Sequence, residues 1–334
     1  NNSNQKVRFI FFLVVFLFYS CSNKNCDLPS YKSVDNEITI NNYIDSIIKI
    51  NNQSEFIQFL NKNSKILYPF FDVKESDISK REQYIGAIYS NLIDNVYYDS
   101  LHNDVVNTFD NIDEIIDEIN YSFNIYNRNS NNKFTPDINV LVSGFFHDIE
   151  VDSENITIGI EYFLNKNNKF KPSDLPSYVL DRYTPKHLTS TILSTFFSQF
   201  NIYDQSDQSM INEMIAFGKL YYIISEILPC VNHNIILGYS SEDYDRIQEN
   251  EAFIYSYFIQ NELFFNQKDE VKKKYLDERP KTFEISSQIP GRIGRWLGYQ
   301  IVRSFMESSP YSYEELLLES DYKKIFYSSN YKPI

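Results

Sequence analysis

Chemistry has few places to reside in this 334-residue chain. Its four histidines are His102, His147, His187 and His233. No two have the i, i+4 spacing that would put two imidazoles on one helical face around zinc. His187 opens an apolar pattern that reads His187-Leu188-Thr189-Ser190-Thr191, where a zinc-peptidase helix would read H-E-x-x-H. Leu188 has no carboxylate to act as a general base, and Thr191 stands in place of the second ligand. A lone His near a helix start reads as a surface or capping residue. No G-x-S-x-G elbow occurs, and Cys230 has only His233 near it in sequence. Acidic pairs such as Asp148/Glu150 and Glu249/Glu251 are what 45 acidic residues produce by chance. No Gly-rich phosphate loop is present. We therefore expect no catalytic residue, no metal and no cofactor.

One segment resists the composition of the rest. The chain is poor in Gly, with 8, and carries 27 Tyr and 27 Phe. The scarce residues have GC-rich codons and the abundant ones AT-rich codons, so the skew reads as genome bias. Pro290 to Arg303, PGRIGRWLGYQIVR, nevertheless holds three of the eight Gly (Gly291, Gly294, Gly298), three Arg (Arg292, Arg295, Arg303) and the only Trp, Trp296. Gly294 and Gly298 fall about one helical turn apart, leaving a bare strip that another backbone could approach. Leu297, Ile301 and Phe305 form a neighbouring apolar row. Arg292 and Arg295 sit near the helix start, where positive charge opposes the dipole unless acids neutralise it. Glu251 and Glu262, on the preceding helix, are the expected partners. The segment reads either as close helix packing with buried ion pairs or as an anion- or partner-binding cleft.

The elements that must position these residues are mostly helical. Ile85, Ile88, Tyr89, Leu92, Ile93 and Val96 recur three or four apart, as do Ile112, Ile115, Ile116, Ile119 and Phe123. Short alternating strands are expected at 37–41, 137–143 and 155–162, with a turn or third strand at 144–148. Thr184 caps a helix with Pro185 at its first position. A wide apolar stripe from Ile211 stops before Pro229, a long helix covers 242–265, and another begins near Ile293. No repeat or linker divides residues 37–334. The fold class is α+β, mainly helical with a small central sheet, in one domain.

The formal net charge is −14 with no basic segment, so nucleic acid is not an expected partner. Lys6 and Arg8 precede the apolar run Phe9 to Tyr19, which ends at Ser20-Cys21. A basic n-region and a short h-region before a small residue describe a secretory signal, and the run is too short to span a bilayer. Cys directly after Ser20 fits lipoprotein processing: residues 1–20 are removed, Cys21 is acylated, and residues 21–36 tether the domain to the membrane. Phe18 departs from the usual Leu that opens such a box. Three cysteines are too few for a disulfide framework; Cys26 and Cys230 could pair in an oxidising compartment, but their spacing says nothing and the preferred reading is two unpaired thiols.

Several motifs together are similar to one family. The closing PGRIGRWLGYQIVRSFME, the pair Phe217-Gly218-Lys219-Leu220-Tyr221 with Leu228-Pro229, and Gly238-Tyr239-Ser240 carry the likeness. So do Asn250-Glu251-Ala252, Asn261-Glu262-Leu263 and Tyr68-Pro69-Phe70-Phe71. Over Glu37 to Glu307 the chain resembles the gliding motility lipoprotein GldB. Ile158 to Leu164 is similar to a family strand with Asp at the position of Glu161, whose longer side chain leaves its role open. The resemblance implies an outer-membrane lipoprotein facing the periplasm, needed for gliding and for the associated secretion machinery. It further implies a distant likeness to zinc peptidases, so a zincin-like fold whose metal site has gone. The expected function is non-catalytic binding of other machinery proteins, with a lipid-anchored hydrolase as the alternative.

Overall fold

The computed structural model describes residues 38–333. The signal segment, Cys21, Cys26 and the tether therefore lie outside the described residues. One cluster of buried apolar side chains runs from Ile38 to Ile325.

Four strands make a mixed sheet: β1 Ile40–Asn42, β2 Asp137–Leu141, β3 Ile149–Val151 and β4 Asn155–Gly159, in the order β1-β2-β4-β3. β1 and β4 flank β2 in parallel, with Ile40 and Ile156 both opposite Ile138, and β3 closes the edge antiparallel to β4. Ile138 to Leu141 and Ile156 to Gly159 are buried without alternation, as central strands covered on both faces must be. The expected strand 155–162 stops at Gly159, because Ile160–Phe163 winds into a 3-10 turn. Parallel pairing of β1 with β2 requires a crossover, supplied here by helices that include Ile78–Leu92 and Ile112–Arg128.

The C-terminal half is helical. Pro185–Ser198 follows the sheet, and Met210–Ile227 then runs through the core, buried along most of its length. The helix expected over 242–265 is instead two, Ser241–Glu249 and Glu251–Gln260. Asn250 breaks it: its side-chain amide donates to the Arg246 carbonyl at 2.8 Å, so a side chain competes with the backbone ladder. Asp269–Leu276 and a loop lead to Ile293–Glu307, which packs lengthwise on Met210–Ile227. The result is the mainly helical α+β fold that the periodicity implies.

Cys230 is disulfide-bonded, which corrects the expectation of an unpaired thiol. It occupies the half-buried turn after Met210–Ile227. Among the described residues no helix is long and apolar enough to cross a membrane.

Candidate functional site

The approach to the Gly/Arg segment is made by the loop after Asp269–Leu276. Lys281 and Pro290 form an isolated antiparallel bridge, and the buried Thr282 hydroxyl donates to the Pro290 carbonyl at 2.8 Å. The chain then crosses its own entry strand. A Cβ on Gly291 would lie 1.9 Å from the Arg279 carbonyl oxygen, so only glycine fits there. The next residue, Arg292, takes φ 58° and caps the helix Ile293–Glu307. A non-glycine residue in this left-handed region is strained and persists only where its surroundings enforce it. Here they do. Its guanidinium donates from Nη2 to the Gly238 carbonyl at 2.6 Å and lies 4.9 Å from the Tyr239 ring centroid. The Tyr239 hydroxyl sits 3.1 Å from the carbonyls of both Gly291 and Arg292.

Glu278 is the hub of the cluster. Arg182 reaches it with both terminal nitrogens, at 2.7 and 3.3 Å. Arg292 Nε stands 3.5 Å and Arg295 Nη1 3.4 Å from the same carboxylate. Arg295 also donates from Nε to the Leu276 carbonyl at 2.5 Å and stacks 4.2 Å over the Phe217 ring. Partial burial pushes the Glu278 carboxyl up, but Arg292, Arg182 and Arg295 outweigh it and hold the group below its ordinary range. Burial and the neighbouring Arg292 lower Arg182 instead.

This assignment corrects the sequence expectation. Neither Glu251 nor Glu262 partners the arginines: Glu251 accepts from the Tyr331 hydroxyl at 2.5 Å, and Glu262 is exposed. The arginines point back along the chain toward the loop they have just left, and Glu278 lies on that loop.

Two adjoining clefts, each of about 320 Å³, share Arg182, His187, Gly238, Glu278 and Arg292. One continues past Lys186. The other runs along the hydroxyl face of Pro185–Ser198, with Ser190, Thr191, Ser194 and Thr195 on its wall. His187 is therefore not a surface residue, as its position near a helix start suggested; it is buried and lines both lobes. Thr184 does occupy the cap position, but its hydroxyl makes no cap bond and instead meets His187 Nδ1 at 2.8 Å. Burial, reinforced by Lys186, Arg182 and Arg292, holds His187 down at about 4, so the imidazole is neutral at neutral pH.

The remaining sequence-flagged residues lie elsewhere. Gly298 and Gly294 face helices rather than the cleft: a Cβ on Gly298 would fall 1.9 Å from the Met214 carbonyl oxygen, and one on Gly294 2.8 Å from a Leu276 methyl. Trp296 is wholly buried and its indole nitrogen has no hydrogen-bond partner among the described residues. Arg303 is half-exposed beside Glu307, at 3.6 Å. Glu161 lines neither lobe. It is fully buried at the end of β4, where Oε1 accepts from the Ser143 hydroxyl at 2.6 Å and from the Ser143 and Phe145 amides at 2.9 and 2.8 Å. Burial raises its pKa, against the pull of those donors. Its work is to hold the loop after β2.

Arg182, Lys186 and Glu278 escaped the sequence reading. A signal for Arg182 existed, because the chain has only nine arginines and the compositional argument applied to Arg292 covers it equally. Among the described residues, no three His, Cys, Asp or Glu side chains gather as a metal-binding group.

The family model for the gliding motility protein GldB matches residues 24–333, nearly the whole sequence. No curated protein and no solved structure matches it. The chain belongs to the gliding motility protein GldB family.

Proposed function

We propose that this family member is a lipid-anchored, non-catalytic component of the gliding apparatus that works by binding, with the arginine cleft as its ligand seat. The carrying observation is the gathering of Arg182, Arg292 and Arg295 on one carboxylate at the wall of a cleft. The cleft's own groups suit recognition better than bond cleavage. Its histidine is neutral, with Nδ1 held by Thr184. The Ser190 and Thr191 hydroxyls both donate to the His187 carbonyl, at 3.0 and 2.8 Å, so neither is aligned with a general base. In this reading the helix His187–Thr191 keeps the place of a peptidase helix and serves binding.

The anchor belongs to the same proposal. Residues 1–20 are removed, Cys21 carries the acyl chains, and the domain faces the periplasm from the outer membrane, among the gliding and secretion proteins that are its partners. The disulfide at Cys230 supports an oxidising compartment. Radiolabelled palmitate should enter the wild-type protein and not Cys21→Ser.

The decisive test is Arg295→Gln expressed at the native level. We expect a folded, membrane-anchored protein in cells that no longer spread. Normal spreading of those cells would remove the cleft from the function.

A further inference from the structure

The charge and shape of the cleft narrow its ligand, and this step rests on the binding role just proposed. Three guanidiniums face one carboxylate, so two positive charges (three minus one) stand uncompensated in a chain whose net charge is −14. Lys186 is exposed on the wall of the same cleft and has no acidic partner among the described residues. Arg292 is almost wholly buried and Arg295 largely so, and charges withdrawn from water are costly unless they are paired and hydrogen-bonded. A monoanionic carboxylate would leave one of the two charges unmatched. A dianion matches both, and the exposed Lys186 adds a third cation that favours the more highly charged ligand.

Donor geometry agrees with the charge count. Each guanidinium carries five N–H donors in a planar fork. Arg182 commits its two terminal nitrogens, Arg292 its Nε and Nη2 while also meeting the Tyr221 hydroxyl, and Arg295 its Nε and Nη1, which leaves Arg295 Nη2 outside those bonds. The neutral His187 can share a hydrogen bond with a ligand without adding charge. Beyond the charged lobe, the hydroxyl wall of Pro185–Ser198 suits the uncharged body of a larger molecule.

We propose that the arginine cleft is a seat for a phosphate-monoester dianion, carried either by a soluble phosphorylated molecule or by a lipid headgroup. The protein to use is the full mature chain, titrated calorimetrically at constant ionic strength with inorganic phosphate, glycerol phosphate and acetate. Both phosphates should bind saturably and acetate should not. Arg182→Gln should weaken phosphate at least tenfold, the scale of one lost charge-assisted bond. Lys186→Ala changes an exposed side chain outside the Glu278 cluster, so it folds even where Arg182→Gln does not, and it should weaken phosphate severalfold. Vesicles of phosphatidylcholine with or without phosphatidic acid separate the sources. Retention by phosphatidic acid alone assigns a headgroup, and binding of soluble phosphates alone assigns a soluble ligand. Acetate binding as well as phosphate, absence of saturable phosphate binding, or unchanged affinity in both variants would overturn the proposal. If phosphate fails while cells carrying Lys186→Ala or Arg295→Gln still cannot spread, the binding role stands and only the ligand class falls.

Discussion

The start and the middle of the helix Ile293–Glu307 belong to one sequence signature and obey different physics. Toward its middle, Gly298 lies against Met214, and across the contact a Cβ on Gly218 would come within 2.3 Å of the Gly298 carbonyl oxygen. That half is a dry contact of backbone on backbone, where the energy lies in close packing. At its start, Arg292 and Arg295 hold a strained cap, a shared carboxylate and an open cleft. That half carries surplus charge and unfinished hydrogen bonding. Glycines and arginines thus coincide in sequence because the packing half aims the charged half: Met210–Ile227 fixes the helix, and the helix carries its first turn into the cleft.

The comparison breaks most visibly at Gly298. Gly298→Ala places a carbon against a main-chain oxygen that no rotamer change can move. We expect destabilisation at or above the upper end of the usual overpacking range, about 3 kcal/mol. Gly294→Ala should cost less, because its nearest neighbour is a Leu276 methyl that can turn away. Urea titration of both variants orders them, and equal midpoints would show that the two helices are not in backbone contact.

On the charged side the most sensitive residue is the acid, not an arginine. Glu278→Ala leaves three guanidiniums with no counter-charge. Breaking a buried pair costs about 3–5 kcal/mol, and with the Glu278 carboxylate 36% exposed we expect about 2–3. Added phosphate should restore part of the loss. Arg295→Ala is milder, about 1–2 kcal/mol, since Glu278 keeps Arg182 and Arg292. A thermal melt in which Arg295→Ala is the worse of the two would reverse this ranking.

How much of this the sequence disclosed follows the same division. Periodicity exposes elements whose residues meet their neighbours at fixed spacing, so the helices at 78–92, 112–128 and 293–307 and the strands near 137 and 155 were legible. The glycine strip was legible too, because one turn of helix determines which residues share a face. The cleft was only half legible. Arg292 and Arg295 announced themselves, but their partner was sought on the helix nearest in sequence, whereas Glu278 approaches through a loop whose path no periodicity encodes. His187 was misread for a related reason. It shares the cleft wall with Gly238 and Arg292, two residues far from it along the chain. A side chain at a helix start looks exposed until the tertiary neighbours are known.

The histidine gives the comparison a dependence on pH. In the folded chain His187 is held at about 4, against an ordinary value near 6.5. Between these values the unfolded chain binds a proton that the folded chain refuses, so His187 makes stability fall as pH drops from 6.5 toward 4. The size is on the order of 2–3 kcal/mol across that window. His187→Gln should remove this slope and leave the contribution of the glycine contact, which has no titrating group. Superimposable pH profiles for variant and wild type would mean that His187 is not shielded from water and protons as its burial implies.

The smallest effect belongs to Arg303, and its smallness is informative. It shares the segment, the helix and the residue type with Arg295, so a reading from sequence alone weights the two equally. Their surroundings differ. Arg303 is 45% exposed, its carboxylate partner among the described residues is Glu307 one turn along at 3.6 Å, and it lines neither lobe of the cleft. An exposed i, i+4 pair of this kind contributes about 0.3–0.5 kcal/mol and is screened by salt. Arg303→Ala should therefore melt within about 0.5 kcal/mol of wild type, bind phosphate unchanged, and leave cells spreading. A loss of spreading in Arg303→Ala with normal phosphate affinity would move the working surface away from the cleft and down the helix, and the division drawn between its start and its middle would have to be redrawn.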